Sequence, residues 1–516
     1  MKKIQLGIVL VLTALTMMLV SGSAWADKDH IKIALADVPV GVDFYATTSR
    51  VALYYSYMIY DPLVERDAKT GEPKPHLVTS WKVVDPNTWE FKLKSGVKFH
   101  NGNPFNAESV RFTIMDMILD PARKCPQAGG WKWAKDVEIV DDLTFRIITD
   151  KPYPLVVQRF NVLFPYDPKW VREMEAKHGR AYITRNAMGT GPFKCAKFVE
   201  GEKLELVRNE NYWKKGVPEF EKMTMRFIPE MSTRIAALLS GTVDDAVYIS
   251  TDMVPMLEKN KNLTVKEVPI LRIFFWQFDN MGRASKTPKA LTDVRVRRAI
   301  WHAIDRKAIV EHVLGGHATF IHTPINPMAF GADPSMPDPG YNLEKAKALM
   351  KEAGYEDGFT TSAWVVAAEY QKATEAAASY LEEINIKLDI KPYIGRYGEF
   401  AKIWKAGKAD GIATMGWGSY NIFDADAIWS YFLMMPEAPF NYTQDKELSD
   451  LLHAARSTLD QAKRKELYRK CQKIIIDKAY WVPFYARHAI HGSIKNFQYE
   501  LGADQVPRWQ YGRWTD

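Results

Sequence analysis

The sequence predicts an α/β protein of two lobes joined by two crossing strands. Three observations predict it. First, a chain of 516 residues, 47% hydrophobic and 25% charged, has an ordinary globular balance but exceeds what one core normally organises, so two or three domains are expected. Second, residues 269–280, at mid-chain, read as a strand apolar on both faces. Ile270, Phe274, Trp276 and Phe278 alternate with Leu271, Ile273 and Phe275, the pattern of a strand buried inside a sheet. Third, the helix-rich half that follows ends on another apolar strand near residues 481–487, and no repeat or low-complexity linker divides the chain. Lobes without a loose tether are expected to be joined by strands that cross side by side.

Taken in order, the N-terminus has Lys2 and Lys3, an apolar run over residues 4–20, and a small-residue ending at Ala24-Trp25-Ala26. This is the pattern of a secretory signal peptide, residues 1–26, with cleavage expected between Ala26 and Asp27. No later apolar run reaches the roughly 20 residues that span a bilayer. Ile31, Ile33 and Leu35 begin the first strand, and residues 50–60 are helix-like. Residues 88–93 alternate as a strand, and 100–105 form a turn-rich loop. Asn106 is placed to cap a helix, with Glu108 in its first turn and Val110, Ile114, Met117 and Ile118 as its apolar stripe. Residues 137–140 and 144–148, joined by Asp141-Asp142, read as a hairpin. Gly189-Thr190-Gly191-Pro192-Phe193 is a rigid turn before strands at 194–198 and 203–208. Residues 231–240 read as a helix, and 243–249 and 263–268 as strands leading to the central one.

Beyond the central strand, Thr292 is a candidate cap with Asp293 at the helix's positive end, and Asp305 caps a second short helix. Asn342 caps 343–353 and Gly354 stops it. Residues 369–384, 397–406, 446–459 and 461–477 read as helices; 386–390 and 411–417 read as strands.

Composition narrows the function. A net charge of +7 over this length is too mild for a nucleic-acid binder, which needs a concentrated basic patch. Cys125, Cys195 and Cys471 allow at most one internal disulfide and match no metal-ligand spacing. The phosphate loop G-x-x-x-x-G-K-[ST], the elbow G-x-S-x-G and the zinc motif H-E-x-x-H are absent from the sequence. No cofactor is expected. Trp404, Trp417, Tyr420 and Trp429 cluster around a loop containing Asn421, Asp424 and Asp426, and apolar walls with a few placed polar groups suit a small-molecule pocket. Asp424 and Asp426 serve equally as caps for a helix over 427–433. Arg272 interrupts the central strand, where a guanidinium needs a carboxylate from protein or ligand.

Several segments, in order, resemble one family. They are Tyr60-Asp61-Pro62-Leu63-Val64, Pro75-His76-Leu77-Val78-Thr79-Ser80-Trp81, the stretch from Leu93 to Phe105, and Gly189 to Phe193. Asn211-Tyr212-Trp213, Asp293 to Ile300, Ala303-Ile304-Asp305-Arg306 and Ala346 to Gly354 complete the series. Together they are similar to the extracellular solute-binding proteins of ABC importers, family 5, the oligopeptide/dipeptide/nickel-binding type. The resemblance implies a two-lobed periplasmic-binding-protein fold: lobe I over 27–270 with an inserted subdomain at about 61–185, lobe II over 271–482, and a return to lobe I over 483–516. It implies a periplasmic, monomeric receptor that closes over a small-molecule or peptide ligand and hands it to an ABC permease and ATPase. It makes His100 a structural residue of a signature loop.

In peptide-binding relatives, an Asp three residues after the Trp of the cleft strand holds the peptide's α-amino group. That position falls here on Tyr420 or, aligned on the downstream acidic pair, on Asn421. Neither is charged at neutral pH, which leaves Asp424 as a substitute anchor and Arg272 as a partner for a carboxylate. The expected ligand contacts are Trp417, Tyr420, Asn421, Asp424, Arg272 and Trp276, with Trp404, and with Tyr45 and Trp131 from lobe I. The ligand itself stays open among peptides, opine-like conjugates, oligosaccharides and metal chelates. The alternative function is a secreted hydrolase of peptides or glycans.

Overall fold

Two strands carry the chain between its halves. In this computed structural model, which describes residues 28–418, 422–436, 438 and 440–515, Leu263–Phe278 and Trp481–Ile494 run antiparallel, from Leu263 opposite Ile494 to Gln277 opposite Trp481. The predicted strand segments at 263–268 and 269–280 are thus one element. The register slips where the first strand advances from Pro269 to Ile273 while its partner moves only from His488 to Ala486. Pro269 has no N–H to give the ladder, and extra residues on one strand bend it. Arg272 lies inside this irregularity.

These strands are the middle of one eleven-stranded sheet that extends into both lobes. On one side lie Ile412–Trp417, Phe359–Val365 and Ile386–Pro392. On the other lie Asp245–Ala246, His30–Leu35, Lys222–Phe227, Lys203–Arg208 and Phe193–Val199, and the short strand Ala318–Phe320 pairs with Trp481–Ile494 off this path. A separate four-stranded antiparallel sheet, with Val78–Asp85, Thr88–Leu93, Thr144–Thr149 and Ala134–Asp141 in that order, sits within the first half of the chain.

Burial divides the same way. One core runs from Leu271 to Ala486 and takes in Ala503. Another runs from Ile31 to Val247 and takes back Phe497, Val506 and Trp509 from the C-terminal segment. The chain therefore leaves lobe I once, builds lobe II, and returns. Among the described residues no helix is long and apolar enough to cross a membrane.

Local chemistry explains most of the elements. Asn106 caps its helix in a reciprocal pair with Ser109, and Asn342 caps Leu343–Ala353, which Gly354 ends in the left-handed conformation at φ 78°. Four expectations change. The helix cap at 292–293 is Asp293, whose side chain accepts the Arg295 N–H at 2.8 Å, not Thr292. The strand expected over 243–249 shrinks to Asp245–Ala246 because Tyr248 takes φ 55°, which no strand accommodates. The helix after Asn106 widens into a π-helical stretch over Phe112–Leu119, where the Thr113 hydroxyl donates to Ser109 O and accepts the Tyr166 N–H. Asp426 lies inside the helix Asp426–Leu433 and does not cap it, whereas Asp424 Oδ1 accepts the N–H of Asp426, its first residue, at 3.0 Å. All three cysteines are free thiols.

His100 packs as a structural residue. Its Nε2 bonds Gly191 O at 3.0 Å, and burial holds its pKa down to about 4. It ties the loop at 100–105 to the Gly-Pro turn, where a side chain on Gly189 would meet Ile59 O at 2.1 Å.

Candidate ligand-binding cleft

The irregular crossing places Arg272 at the edge of the lobe II sheet. A Cβ on Gly418 would lie 2.4 Å from the Arg272 Cα, so only glycine lets the loop after Trp417 pass this close. Arg272 Nη2 donates to Gly416 O at 3.0 Å. Its Nε is buried, with no hydrogen-bond partner among the described residues. A half-buried guanidinium with an idle donor and, among the described residues, no carboxylate in contact with it offers a donor site for an anion.

Around it stand groups that the sequence reading did not select. Glu369 opens the helix Ala368–Glu382, and its carboxylate pairs with Arg487 Nη1 at 2.9 Å. Its side chain is 41% exposed. Burial raises its pKa, but Arg487 and Arg272 outweigh that and hold it below the usual glutamate value. Trp417 stacks on Tyr431 with centroids 4.3 Å apart and planes at 15°, and its indole N–H donates to Ala427 O at 3.2 Å. Tyr397, 42% exposed, has its pKa pushed up to about 12, chiefly by burial and next by Tyr431, while Arg272 opposes the rise. The result is an aromatic wall beside a guanidinium with one unused donor and an accessible carboxylate. That set can bind a molecule with an apolar body and opposite charges near its ends.

Glu369 had one signal available. It follows Phe359–Val365, a strand the sequence reading missed, and ligands in α/β sheets bind beyond the carboxyl ends of strands. Recognising that strand would have pointed to the junction at 366–369.

The expected contacts scatter. Arg272 and Trp417 come together in lobe II. Trp276 and Trp404 are fully buried in the lobe II core, where Trp404 stacks on Tyr442 at 4.3 Å. Trp131 is 2% exposed in the lobe I core. Tyr45 spends its hydroxyl inside lobe I, donating to Phe164 O at 3.1 Å and accepting the Phe164 N–H at 3.0 Å. In this structure these four side chains present almost no surface to a guest in the cleft. Asp424 is engaged inside lobe II. Its carboxylate is held by Arg464 at 2.8 Å and by the Tyr468 hydroxyl at 2.8 Å, with no exposed side-chain surface. The void between Trp417 and Asp424 measures ≈ 10 Å³, room for about one water. Tyr420 and Asn421 lie outside the described residues.

The loop beyond Trp417 also reaches across to lobe I. The Phe423 N–H donates to Gln158 Oε1 at 2.7 Å, and its ring lies under the Arg66 guanidinium, 4.3 Å away. Gly71 makes room for it: a Cβ there would come within 2.4 Å of the ring. On its lobe II side, Phe423 O accepts the Phe330 N–H at 2.8 Å.

Comparison with known proteins agrees with this architecture. Residues 72–437 match the family described as bacterial extracellular solute-binding proteins, family 5 Middle. The chain is similar to the glutathione-binding protein GsiB of Escherichia coli (strain K12), 26% identical over 489 residues covering 93% of each. Among solved structures it resembles HbpA2 from Haemophilus parasuis, with a TM-score of 0.81 and 24% identity over 94% of this chain and 100% of that one. It also resembles a dipeptide binding protein from Pseudoalteromonas sp. SM9913 in complex with Met-Leu, with a TM-score of 0.77 and 23% identity over 94% and 100%.

Proposed function

Because this chain belongs to the family 5 bacterial extracellular solute-binding proteins, we propose that it is the capturing receptor of an ABC importer for a small peptide or peptide-like solute. Arg272 carries the reading: a guanidinium with an unused buried donor, standing where the chain crosses between two cores. It takes the ligand's carboxylate. Glu369, kept anionic by its basic neighbours, takes an ammonium. Trp417, Tyr431 and Tyr397 line the apolar body between them. Glutathione and Met-Leu, named for two of the similar proteins, both have this charge layout.

Capture is then a population shift. The crossing strands act as the hinge, and the ligand favours the closed form only by as much as it binds that form more tightly. The closed receptor docks on a membrane permease whose ATPase drives release. The working form is a periplasmic monomer cleaved after Ala26, so the mature protein begins at Asp27; its N-terminal sequence tests that.

The binding test is calorimetry with glutathione and Met-Leu against the wild type and Arg272→Ala. Charge-assisted hydrogen bonds contribute about 1.5–3 kcal/mol, so the variant is expected to lose roughly 10- to 100-fold in affinity. Equal affinity in the two proteins would remove Arg272 from the site. Mass spectrometry of the recovered ligand separates receptor from hydrolase, because a receptor returns it intact.

A further inference from the structure

A cavity of ≈ 380 Å³ lies wholly within lobe I, and every residue lining it belongs to the segments 43–46, 117–126 and 175–184. Its size falls in the range of small-molecule sites. Its charges, followed one by one, leave three groups without an ion pair at contact distance among the described residues. Arg123 and Glu175 close on each other, with Arg123 Nη2 at 3.0 Å from Glu175 Oε2 and Arg123 Nη1 on Oε1. Arg180 donates to Ala122 O at 2.8 Å and also to Arg123 O, and its charge reaches Asp43 only through space. Asp43 Oδ1 accepts the Tyr45 N–H at 2.9 Å and the Tyr166 hydroxyl at 2.5 Å, while Oδ2 has no partner among the described residues. Lys124, held at φ 51° at the end of the turn Pro121–Arg123, adds an amine with no ion-pair partner among the described residues.

We propose that this cavity is a second binding site, for a small zwitterion of amino-acid size, with the ammonium on Asp43 and the carboxylate at Lys124 and Arg180. Among the described residues Asp43 meets no guanidinium or ammonium at hydrogen-bond distance and its second oxygen is idle, so an incoming ammonium would favour the charged carboxylate that burial opposes. Met117 and Ile183 give the cavity a small apolar lining. Since no lobe II residue lines it, its occupant gains nothing from closure and leaves the open–closed balance unchanged. Binding here is therefore independent of Arg272.

Cys125 supplies the readout. It lines the cavity, is half-buried, and donates its thiol to Tyr45 O at 3.4 Å. Iodoacetamide labelling of Cys125, followed by peptide mass mapping, is measured with L-alanine, acetate or methylamine present, and Cys195 serves as the internal control. L-Alanine is expected to slow labelling of Cys125 but not of Cys195, equally in the wild type and Arg272→Ala, with acetate and methylamine each at least roughly tenfold weaker. Asp43→Asn keeps the Oδ1 acceptor and is expected to abolish protection. Lys124→Ala, an exposed-turn change that tests the site even if Asp43→Asn folds poorly, is expected to weaken L-alanine and leave methylamine unaffected. Unprotected Cys125 in the wild type, full protection in Asp43→Asn, or protection by methylamine as strong as by L-alanine would each overturn the assignment.

Discussion

Gln158→Ala tests whether the loop beyond Trp417 links the lobes. The side chain sits on the short helix Val156–Arg159 of lobe I, and its Oε1 receives the Phe423 N–H from lobe II at 2.7 Å. Truncation leaves that N–H without its acceptor whenever the lobes are together, and exposes it to water when they part. The net contribution of such a hydrogen bond is about 1 kcal/mol. The closed-to-open ratio then falls about fivefold, since 1.4 kcal/mol is tenfold. If the unliganded protein is mostly open, the dissociation constant rises by the same factor; if it is mostly closed, the loss appears as a larger open population before ligand is added. Calorimetry with glutathione or Met-Leu reads the first, and small-angle scattering of the free protein reads the second. Gly71→Ala attacks the same contact by wedging a methyl against the Phe423 ring, 2.4 Å away, at a backbone φ of 75° that disfavours any side chain. An affinity and a radius of gyration both equal to the wild type's in the two variants would refute the link.

Three further outcomes follow from the same structure. Arg464→Ala strands the fully buried Asp424 carboxylate, and breaking a buried pair from one side is expected to destabilise lobe II by about 3–5 kcal/mol, seen as a lower urea midpoint. His76 lies between Asp61 at 2.8 Å and Glu65 at 3.4 Å; burial alone would lower its pKa, but both carboxylates raise it to about 9. A raised folded-state pKa gives stability that is complete below the unfolded value of 6.5 and disappears as pH rises through about 9. Lobe I is thus expected to lose on the order of 3 kcal/mol across that window, with the slope absent in His76→Gln and a wild-type midpoint flat over that range counting against it. Gly416→Ala would bring a methyl to 1.7 Å from the Tyr370 hydroxyl; it is expected to lower the lobe II unfolding midpoint, and an unchanged midpoint would mean the sheet yields there without cost.

What the sequence determined by itself is what acts locally. Alternation at period two on both faces marked 269–280 as a buried strand, because the strand's geometry imposes that period whatever surrounds it. Asn106, Asp305, Asn342 and Gly354 announced helix ends because caps bond backbone groups only two to four residues away. The ordered family segments carried the two-lobed fold and the receptor class. The tertiary structure decided which charges meet. Asp424 meets Arg464, 40 positions away. Among the described residues no carboxylate touches Arg272, which acts on Glu369 only through space, while Glu369 finds Arg487 on the returning strand. Trp276 and Trp404 look identical in sequence to Trp417, yet they face the core and it faces Tyr431. A side chain's partner is set by which distant backbone segments the sheet brings alongside, and that geometry is a property of the whole chain, with no residue-level signature.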